Sequence, residues 1–125
     1  MKTCMIVDDS AVIRKIVRTI LEPLEFSCAD AANGKSALEA CRKSMPELIM
    51  LDWNMPVMDG MAFLNELRKT PGGDKPVVFF CTSEGSMDRI EAAMAAGATD
   101  YIMKPFDQEI VVGKLIQNGV IEAKG

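Results

Sequence analysis

The sequence predicts an α/β fold, in which a five-stranded parallel sheet is doubly wound, with helices on both faces, into a three-layer sandwich. Two observations lead to this prediction. Apolar and amphipathic segments alternate five times along the chain, which is the pattern of repeated strand–helix units. Residues 48–51 are all apolar and turn residues follow them, as expected for a strand that is buried on both faces of a parallel sheet.

Length and charge exclude several classes of protein. The 125 residues are enough for a core, so we expect a single domain over residues 1–125 with no output domain attached. Fourteen basic and eighteen acidic residues give a net charge of −4. This balance argues against a nucleic-acid partner, since such proteins usually present a basic face. No apolar run is long enough for membrane insertion. We also expect a monomer, because the sequence shows no obvious extra apolar face.

Cysteine and histidine usage excludes several kinds of site. The four cysteines form no C-x-x-C pair, so neither a zinc site nor a redox pair is predicted. Cys4, Cys28 and Cys81 lie in apolar, strand-like segments and are expected to be core residues. The absence of histidine removes histidine-based catalysis and any phosphohistidine on this chain. The N-terminus leads into a strand-like segment and not a signal peptide, so we expect a cytoplasmic protein.

The first half of the chain contains three strand segments and two helical ones. The strands are residues 3–7, 26–31 and 48–51. Ser10 is expected to cap the first helix, and Pro23 marks its end. Arg14, Lys15 and Arg18 form the polar face of that helix. The residues expected to face the core are Val12, Ile13, Ile16, Val17, Ile20 and Leu21 in the first helix, and Ala37, Leu38 and Cys41 in the second.

The second half contains two strands, residues 77–81 and 101–103, and three helices. Asp59-Gly60 turns the chain into the third helix, Ser86 is expected to cap the fourth, and Asp107 to cap the fifth. Gly113 and Gly119 each lower the helix propensity of the fifth by about 1 kcal/mol. The expected apolar, core-facing positions are Met61, Phe63, Leu64 and Leu67 in the third helix, and Ile110, Val111, Leu115 and Ile116 in the fifth.

Four of the predicted strands end in charged or hydroxyl side chains. These are Asp8 and Asp9, Asp52, Thr82 and Lys104. In a parallel sheet the carboxyl ends of the strands share one edge, where open α/β folds bind ligands. Three carboxylates packed together repel one another strongly, so positive charge is needed among them. Lys104 supplies one charge, and Mg²⁺, which prefers oxygen ligands and retains water, would supply the rest.

A carboxylate beside a metal ion and a lysine has the groups that a phosphoryl acceptor needs. The cations neutralise phosphoryl oxygens as charge builds up on them. No general base is required, because a carboxylate is already ionised at neutral pH. A hydroxyl such as that of Thr82 can then donate a hydrogen bond to the attached phosphoryl group. Trp53, the only tryptophan, directly follows Asp52 and is expected to be partly exposed.

In these residues and their order the sequence resembles the receiver domains of response regulators, of the CheY-like type. Single motifs are weak here, but the full set covers essentially the whole chain with matching spacing. The resemblance implies a flavodoxin-like fold and a phosphorylation-controlled signalling switch of two-component systems, not an enzyme that acts on a separate substrate. The matching residues are Val7-Asp8-Asp9-Ser10, Leu51-Asp52-Trp53-Asn54-Met55-Pro56, Met58-Asp59-Gly60, Thr82-Ser83, Ala95-Ala96-Gly97-Ala98 and Tyr101 through Lys104-Pro105-Phe106.

The resemblance also implies a role for each residue at the site. Asp52 would accept a phosphoryl group from the histidine of a partner kinase, and Lys104 would contact that group. Mg²⁺, with Mn²⁺ as a substitute, would be held by Asp9, by Asp52 and by the backbone carbonyl of Asn54. Asp8 would act on the metal mainly through a bound water molecule.

Further implied roles concern switching and signalling. Thr82 would move toward the phosphoryl group, and Tyr101 would move inward behind it. Asn54 and Glu84 stand where the family tunes the rate of dephosphorylation. The Lys104–Pro105 peptide bond would be cis. Signalling would depend on protein binding to the surface formed by the fourth helix, the fifth strand and the fifth helix.

Two functions of other classes share parts of this pattern. A magnesium-dependent phosphatase also forms an aspartyl phosphate. Enzymes of the haloacid-dehalogenase type, however, carry a second aspartate two residues after the nucleophile as general acid, and Asn54 stands there. A flavin carrier shares the fold. It needs a hydroxyl- and glycine-rich phosphate loop after the first strand, where Asp8 and Asp9 would repel a flavin phosphate.

The signalling pathway stays open at this point. The Asp-Trp-Asn-Met-Pro run of residues 52–56 favours chemotaxis, with a flagellar motor switch protein as the downstream partner. A phosphate sink that drains a shared kinase and a stress or cell-cycle regulator are alternatives with a similar sequence. Partner choice depends on surface residues of the first, fourth and fifth helices, which the sequence alone does not decode.

Overall fold

A computed structural model of the chain describes residues 2–83 and 87–122. Strands and helices alternate strictly along these residues. The strands are β1 (Lys2–Val7), β2 (Phe26–Ala31), β3 (Leu48–Asp52), β4 (Val77–Thr82) and β5 (Asp100–Met103). The helices are α1 (Ala11–Leu21), α2 (Gly34–Lys43), α3 (Gly60–Lys69), α4 (Met87–Ala95) and α5 (Gln108–Gln117), and a short 3₁₀ turn, Glu22–Leu24, follows α1.

The five strands form one parallel sheet in the order β2-β1-β3-β4-β5. This arrangement confirms the predicted doubly wound α/β fold. The register pairs Val7 with Leu51 and Asp52 with Cys81, so the carboxyl ends of β1, β3 and β4 lie side by side. The direction of strand succession reverses between β1 and β3, and the crevice at such a reversal is where open α/β sheets bind ligands.

Two apolar layers, one on each face of the sheet, hold the helices in place. Phe63, Leu64 and Leu67 of α3 are fully buried in the layer that also includes residues of α2 and α4. The other layer includes Leu21 of α1 and Leu115 of α5. Helices therefore cover both faces of the sheet, as the strand–helix alternation predicts.

The apolar run of β3 has a direct explanation in this layering. Ile49 and Leu51 belong to the layer under α3, whereas Leu48 and Met50 belong to the layer under α1 and α5. Successive side chains of a strand point to opposite faces. All four of these side chains are buried, so no position of the strand was left for a polar residue until its end at Asp52.

The predicted side-chain caps stand at the starts of α1 and α5, whereas the end of α5 differs from the prediction. Ser10 Oγ accepts a hydrogen bond from the Ile13 N–H at 3.3 Å, and Asp107 caps α5 in the same way. The prediction that Gly119 lies within the last helix was wrong. It follows the end of α5 at a φ of 73°, and bonds from Gly119 N to Ile116 O and from Val120 N to Leu115 O close the turn, the arrangement that favours glycine after a helix.

Four expected core residues are instead exposed. Val12 and Ile16 of α1 are 68% and 43% exposed, and Ile110 and Ile116 of α5 are 44% and 37% exposed. Within the described ranges 2–83 and 87–122, α1 and α5 are the helices that cover this face of the sheet, so each buries a narrow stripe and its apolar flanks remain in solvent. The stripes are Val17, Ile20 and Leu21 on α1, and Val111 and Leu115 on α5.

The predicted cap of α4, Ser86, lies outside the described residues. Within residues 2–83 and 87–122, no helix combines the length and the apolar character needed to cross a bilayer.

Arg68 joins the last turn of α3 to two other segments of backbone. Its guanidinium donates to the carbonyl oxygens of Gly73 and Pro76 at 2.8 and 3.0 Å, in the segment that leads to β4. It also donates twice to the carbonyl of Gly97, just after α4, at 2.7 and 3.0 Å. Burial lowers the pKa of this guanidinium, yet its basicity keeps it charged at neutral pH.

We expect Arg68→Ala to lower the free energy of unfolding by about 2 kcal/mol, because three carbonyl groups lose a charged donor. Urea denaturation followed by far-UV circular dichroism measures this change. Arg42→Ala is the matched control, since Arg42 is an exposed arginine in the last turn of α2, and its loss should change stability by less than about 0.5 kcal/mol. Equal effects of the two substitutions would show that the Arg68 bonds contribute little.

Candidate functional site

The candidate site lies at the carboxyl edge of the sheet, where four strands end. Asp8 directly follows β1, Asp52 and Thr82 are the last residues of β3 and β4, and Lys104 directly follows β5. The Asp52–Cys81 pair of the register places Thr82 one residue further along its strand. Residues that are up to 96 positions apart in the chain therefore meet here, as the parallel sheet predicts.

Three carboxylates form the acidic part of the site. One carboxylate oxygen from each of Asp8, Asp9 and Asp52 lies within 4.8 Å of the other two. Asp8 is buried, Asp52 is half-buried and Asp9 is exposed. The cluster thus extends from the interior of the sheet edge to solvent, so that a small ion or a phosphoryl group can reach it.

Lys104 joins two of these carboxylates. Its ammonium donates to Asp8 Oδ2 at 2.8 Å and to Asp52 Oδ1 at 3.0 Å. Its backbone N–H donates to the carbonyl of Thr82 at 2.8 Å, and the Lys104–Pro105 peptide bond is cis, as the resemblance implies. The lysine is therefore fixed at both its backbone and its side chain, with its charge between two acids.

The surroundings change the proton affinities of this pair. Burial raises the pKa of Asp52 and the neighbouring Asp8 adds to the increase, while the hydrogen bond from Lys104 acts against it. Burial acts to lower the pKa of Lys104, but the hydrogen bonds to Asp8 and Asp52 outweigh it, so this pKa is raised. The ammonium therefore remains charged over the whole physiological range, whereas ionising Asp52 costs more than ionising a carboxyl group in water, and further positive charge beside it would lower that cost.

The loop between β3 and α3 is shaped by close backbone contacts. A Cβ atom at Gly60 would overlap the carbonyl oxygen of Asp52, so this position requires glycine. The Gly60 N–H donates to the carbonyl of Trp53 at 2.9 Å. Val57 has a φ of 70°, which β-branched residues rarely adopt, and a bond of 2.7 Å from Met58 N to Pro56 O closes a three-residue turn around it.

The two predicted switch residues occupy different depths. The Thr82 side chain is buried at the end of β4. Tyr101 is half-buried on β5, the strand at the edge of the sheet. The ammonium of Lys114 on α5 lies 4.7 Å from the centre of the tyrosine ring and is itself 3.0 Å from Asp100 Oδ1. The tyrosine is thus in contact with α5.

Trp53 connects the site to α4. Its ring centre is 4.9 Å from that of Phe80 on β4, and the guanidinium carbon of Arg89 on α4 lies 4.3 Å from the centre of the indole ring. The side chain is partly buried, which confirms the expectation that this tryptophan is partly exposed. A fluorescence signal from it will report both on the residue next to Asp52 and on α4.

Asn54 is exposed two residues after Asp52, and Glu84 lies outside the described residues. Sequence reasoning missed Arg14, assigned there to the polar face of α1, although its Nη1 donates to the carbonyl of Asp8 at 2.7 Å. It also missed Arg89. The order of residues held no signal for either contact, because both depend on the angle at which a helix packs against the sheet.

The donor atoms of the acidic cluster suit a hard divalent cation. Only oxygen ligands are available from Asp8, Asp9 and Asp52, and one oxygen of each lies within 4.8 Å of the others, so the three can bind one ion directly or through its water molecules. Mg²⁺ typically takes one or two carboxylates and completes its coordination with water and phosphate oxygens. The exposed side of the cluster, at Asp9, leaves room for both.

Comparisons with known proteins agree on one family. The family model of the response regulator receiver domain matches residues 4–116. The chemotaxis protein CheY of Halobacterium salinarum is 38% identical over 112 residues, which are 89% of this chain and 91% of that protein. A protein-glutamate methylesterase/protein-glutamine glutaminase of Methanococcoides burtonii is 40% identical over 105 residues, which are 81% of this chain but 29% of that longer protein.

Solved structures show the same fold. The chemotaxis protein CheY4 of Vibrio cholerae has a TM-score of 0.88 at 32% identity, with 94% of this chain and 98% of that chain covered. The receiver domain of a sensor histidine kinase of Pseudomonas aeruginosa has a TM-score of 0.86 at 24% identity, with the same coverage. That structure contains a magnesium ion coordinated in its active-site cleft.

We expect Asp52→Asn to raise the midpoint of metal-free thermal unfolding at pH 7. The pKa of Asp52 is raised in the folded protein, so protonated Asp52 stabilises the folded state relative to the unfolded one. That stabilisation is present at low pH and is lost as the pH rises through the folded-state pKa. Asparagine has the same shape without the charge. The gain should shrink as the pH falls and wild-type Asp52 takes up a proton. Calorimetry between pH 4 and 8 measures the difference in midpoint between the variant and the wild type. Glu39→Gln, at an exposed position, is the control. A lower midpoint for Asp52→Asn at pH 7 would contradict the expectation.

Proposed function

Because the chain belongs to the response regulator receiver domain family, whose model matches residues 4–116, we propose that it is a phosphorylation-controlled signalling switch with Asp52 as the phosphoryl acceptor. One observation carries the proposal: the Lys104 ammonium lies between Asp8 and Asp52, at 2.8 and 3.0 Å, at the sheet edge. This arrangement presents a nucleophilic carboxylate oxygen with a fixed cation directly beside it.

The proposed reaction is a transfer from a phosphohistidine of a partner kinase. A bond forms between an Asp52 carboxylate oxygen and phosphorus as the P–N bond breaks, and the imidazole leaves with the electron pair of that bond and takes a proton from solvent. Asp52 needs no general base, because its attacking oxygen carries no proton at neutral pH. The Lys104 ammonium is placed to move from the carboxylate to a phosphoryl oxygen, where charge accumulates.

Asp9, Asp52 and the backbone carbonyl of Asn54 are the groups that we propose hold Mg²⁺, with Asp8 acting on the metal mainly through a bound water molecule. When bound, the ion would supply two positive charges, which together with that of Lys104 balance the three carboxylates. The all-oxygen cluster supports this assignment, as does the magnesium ion in the Pseudomonas receiver domain of the same fold. Mn²⁺, with similar ligand preferences, is expected to substitute. Asn54 and Glu84 are proposed to tune the rate at which water attacks the acyl phosphate.

The surface beside the site supports docking of the phosphodonor. An apolar groove lies next to Lys104, lined by Ile13 and Ile16 of α1 and by Pro105 and Phe106. Ile16, which was expected in the core, is 43% exposed there. Exposed apolar side chains beside a reactive group are typical of a protein-binding surface, and we propose that the histidine-bearing domain covers this groove during transfer.

Thr82 and Tyr101 are the proposed switch. Thr82 lies at the end of β4, and its carbonyl accepts a hydrogen bond from the Lys104 N–H at 2.8 Å. A shift of Lys104 toward a phosphoryl group would therefore move the ends of β4 and β5 together. The Thr82 hydroxyl would donate to a phosphoryl oxygen, and Tyr101 would move inward. The proposed output surface is the α4-β5-α5 face, where Met87, Met94 and Met103 are exposed.

Chemotaxis is the pathway we propose, since the Halobacterium and Vibrio relatives are chemotaxis proteins. A flagellar motor switch protein is then the proposed downstream partner. A phosphate sink and a stress or cell-cycle regulator remain the alternatives. A phosphatase acting on separate substrates is disfavoured, because the exposed amide of Asn54 stands where such an enzyme needs an acid.

The test is phosphorylation of the purified protein with a small acyl phosphate and Mg²⁺. We expect a mass gain of one phosphoryl group, accompanied by a change in Trp53 fluorescence, in the wild type and in Asp59→Asn, whose asparagine can still cap α3. Asp52→Asn, and wild type with EDTA, should gain nothing. An equal mass gain in Asp52→Asn would overturn the assignment of the acceptor. Steady release of phosphate from a phosphomonoester would favour the phosphatase.

A second prediction separates phosphorylation from switching. Thr82→Ala should still gain the phosphoryl group, because Asp52 and Lys104 are intact, but Tyr101 should no longer respond. Fluorine NMR of fluorotyrosine at Tyr101, the only tyrosine, detects that response. Thr82→Ser retains the hydroxyl and should behave like the wild type. A wild-type tyrosine shift in phosphorylated Thr82→Ala would show that the hydroxyl does not couple the two sites.

A further inference from the structure

Arg14 of α1 makes contact with the backbone that carries the acidic cluster. Its Nη1 donates to the carbonyl oxygen of Asp8 at 2.7 Å, and its Nε donates to Asp30 Oδ2 at 3.2 Å. The arginine side chain is 19% exposed. A planar guanidinium that is bonded on two edges has little freedom to turn, so the arginine forms a fixed link between Asp30, on β2, and the end of β1.

The carbonyl that Arg14 binds belongs to the peptide bond between Asp8 and Asp9. The other polar groups of Asp8 are also held: its N–H donates to the carbonyl of Ala31 at 3.1 Å, and its carboxylate accepts from the Ser10 N–H at 2.9 Å and from Lys104. Arg14 therefore completes the set and fixes the plane of the Asp8–Asp9 peptide. That plane determines the direction in which the exposed Asp9 leaves the backbone.

Asp30 is itself anchored from a second side. Arg18, one turn further along α1, donates from Nη2 to Asp30 Oδ1 at 2.6 Å and from Nη1 to the carbonyl of Cys28 at 3.0 Å. Each oxygen of the Asp30 carboxylate thus binds a different arginine. Both arginines contact β2, but of the two bonding patterns only that of Arg14 includes the backbone of the acidic cluster.

We propose that Arg14, anchored by Asp30, is a positioning residue of the metal site, which orients the Asp8–Asp9 peptide so that both carboxylates can bind one divalent cation. The inference rests on the proposed function, since it supposes that these carboxylates hold Mg²⁺. Groups that orient metal ligands without touching the metal commonly change metal affinity by tenfold or more.

The sign of the effect distinguishes positioning from simple electrostatics. Arg14 carries a positive charge close to a cation site, so its charge alone opposes Mg²⁺ binding. If charge were its only influence, Arg14→Ala would bind Mg²⁺ more tightly than the wild type. If it positions the ligands, the same variant binds Mg²⁺ more weakly. The two roles therefore predict opposite shifts of one measured Kd.

The experiment is a titration of the full chain with MgCl₂, followed by Trp53 fluorescence and checked by calorimetry. We expect Arg14→Ala to raise the Kd for Mg²⁺ by about tenfold. Arg18→Ala is the matched control. It removes a neighbouring charge and the other arginine bond to Asp30, but no contact with Asp8, and its Kd should equal that of the wild type or fall slightly. Arg14→Lys, which cannot bond on two edges at once, should lie between the wild type and Arg14→Ala.

Thermal unfolding in EDTA separates the site from the fold. Arg14→Ala and Arg18→Ala should lower the metal-free midpoint similarly, because each loses an ion pair with Asp30 and a bond to one backbone carbonyl, so a difference in Kd between them is not a difference in stability. Asp30→Asn keeps both arginines and weakens their anchor, and should also raise the Kd. An unchanged or lower Kd in Arg14→Ala overturns the inference. A wild type that binds no Mg²⁺ overturns the proposed function itself.

Discussion

The site depends on one electrostatic constraint: carboxylates from two strands share a small volume at the edge of the sheet, and Lys104 is the cation that joins them. Its ammonium is 2.8 Å from Asp8 and 3.0 Å from Asp52. The lysine must therefore arrive from a third strand at a fixed height, which the β4–β5 register and the bond from Lys104 N to Thr82 O provide. The sheet order and the end of each strand are both consistent with this requirement.

Most of the fold and nearly all of the proposed site could be predicted from the sequence, because both follow from strand ends. β3 is apolar throughout since its alternate residues enter different core layers, and a charged residue can appear only where the strand reaches solvent. The position of Asp52 is thus a direct consequence of burial. Asp8 and Lys104 follow the same rule on β1 and β5.

Helix faces were harder to predict. Apolar periodicity gives the direction of a stripe but not its width, so Val12 and Ile16 were assigned to the core although they are exposed. The width depends on how many helices share one face of the sheet, which is a tertiary property. For the same reason Arg14 was assigned to the polar face of α1. Its guanidinium reaches the Asp8 carbonyl only because of how α1 lies against the end of β1.

Val57 shows which interactions shape the loop beside Asp52. The residue is 78% exposed and has a φ of 70°, so its side chain adds little packing while its backbone carries strain of about 1 to 3 kcal/mol. Bonds on either side hold the loop: Gly34 N to Met58 O at 3.0 Å, and Gly60 N to Trp53 O at 2.9 Å. Bonds to the first residues of α2 and α3 therefore hold the loop in shape, and the residue at position 57 can change without loss of that shape. Glycine or asparagine adopts a positive φ with less strain, so either residue at position 57 should raise the free energy of unfolding. Val57 is therefore a position from which to begin a more thermostable form of the domain.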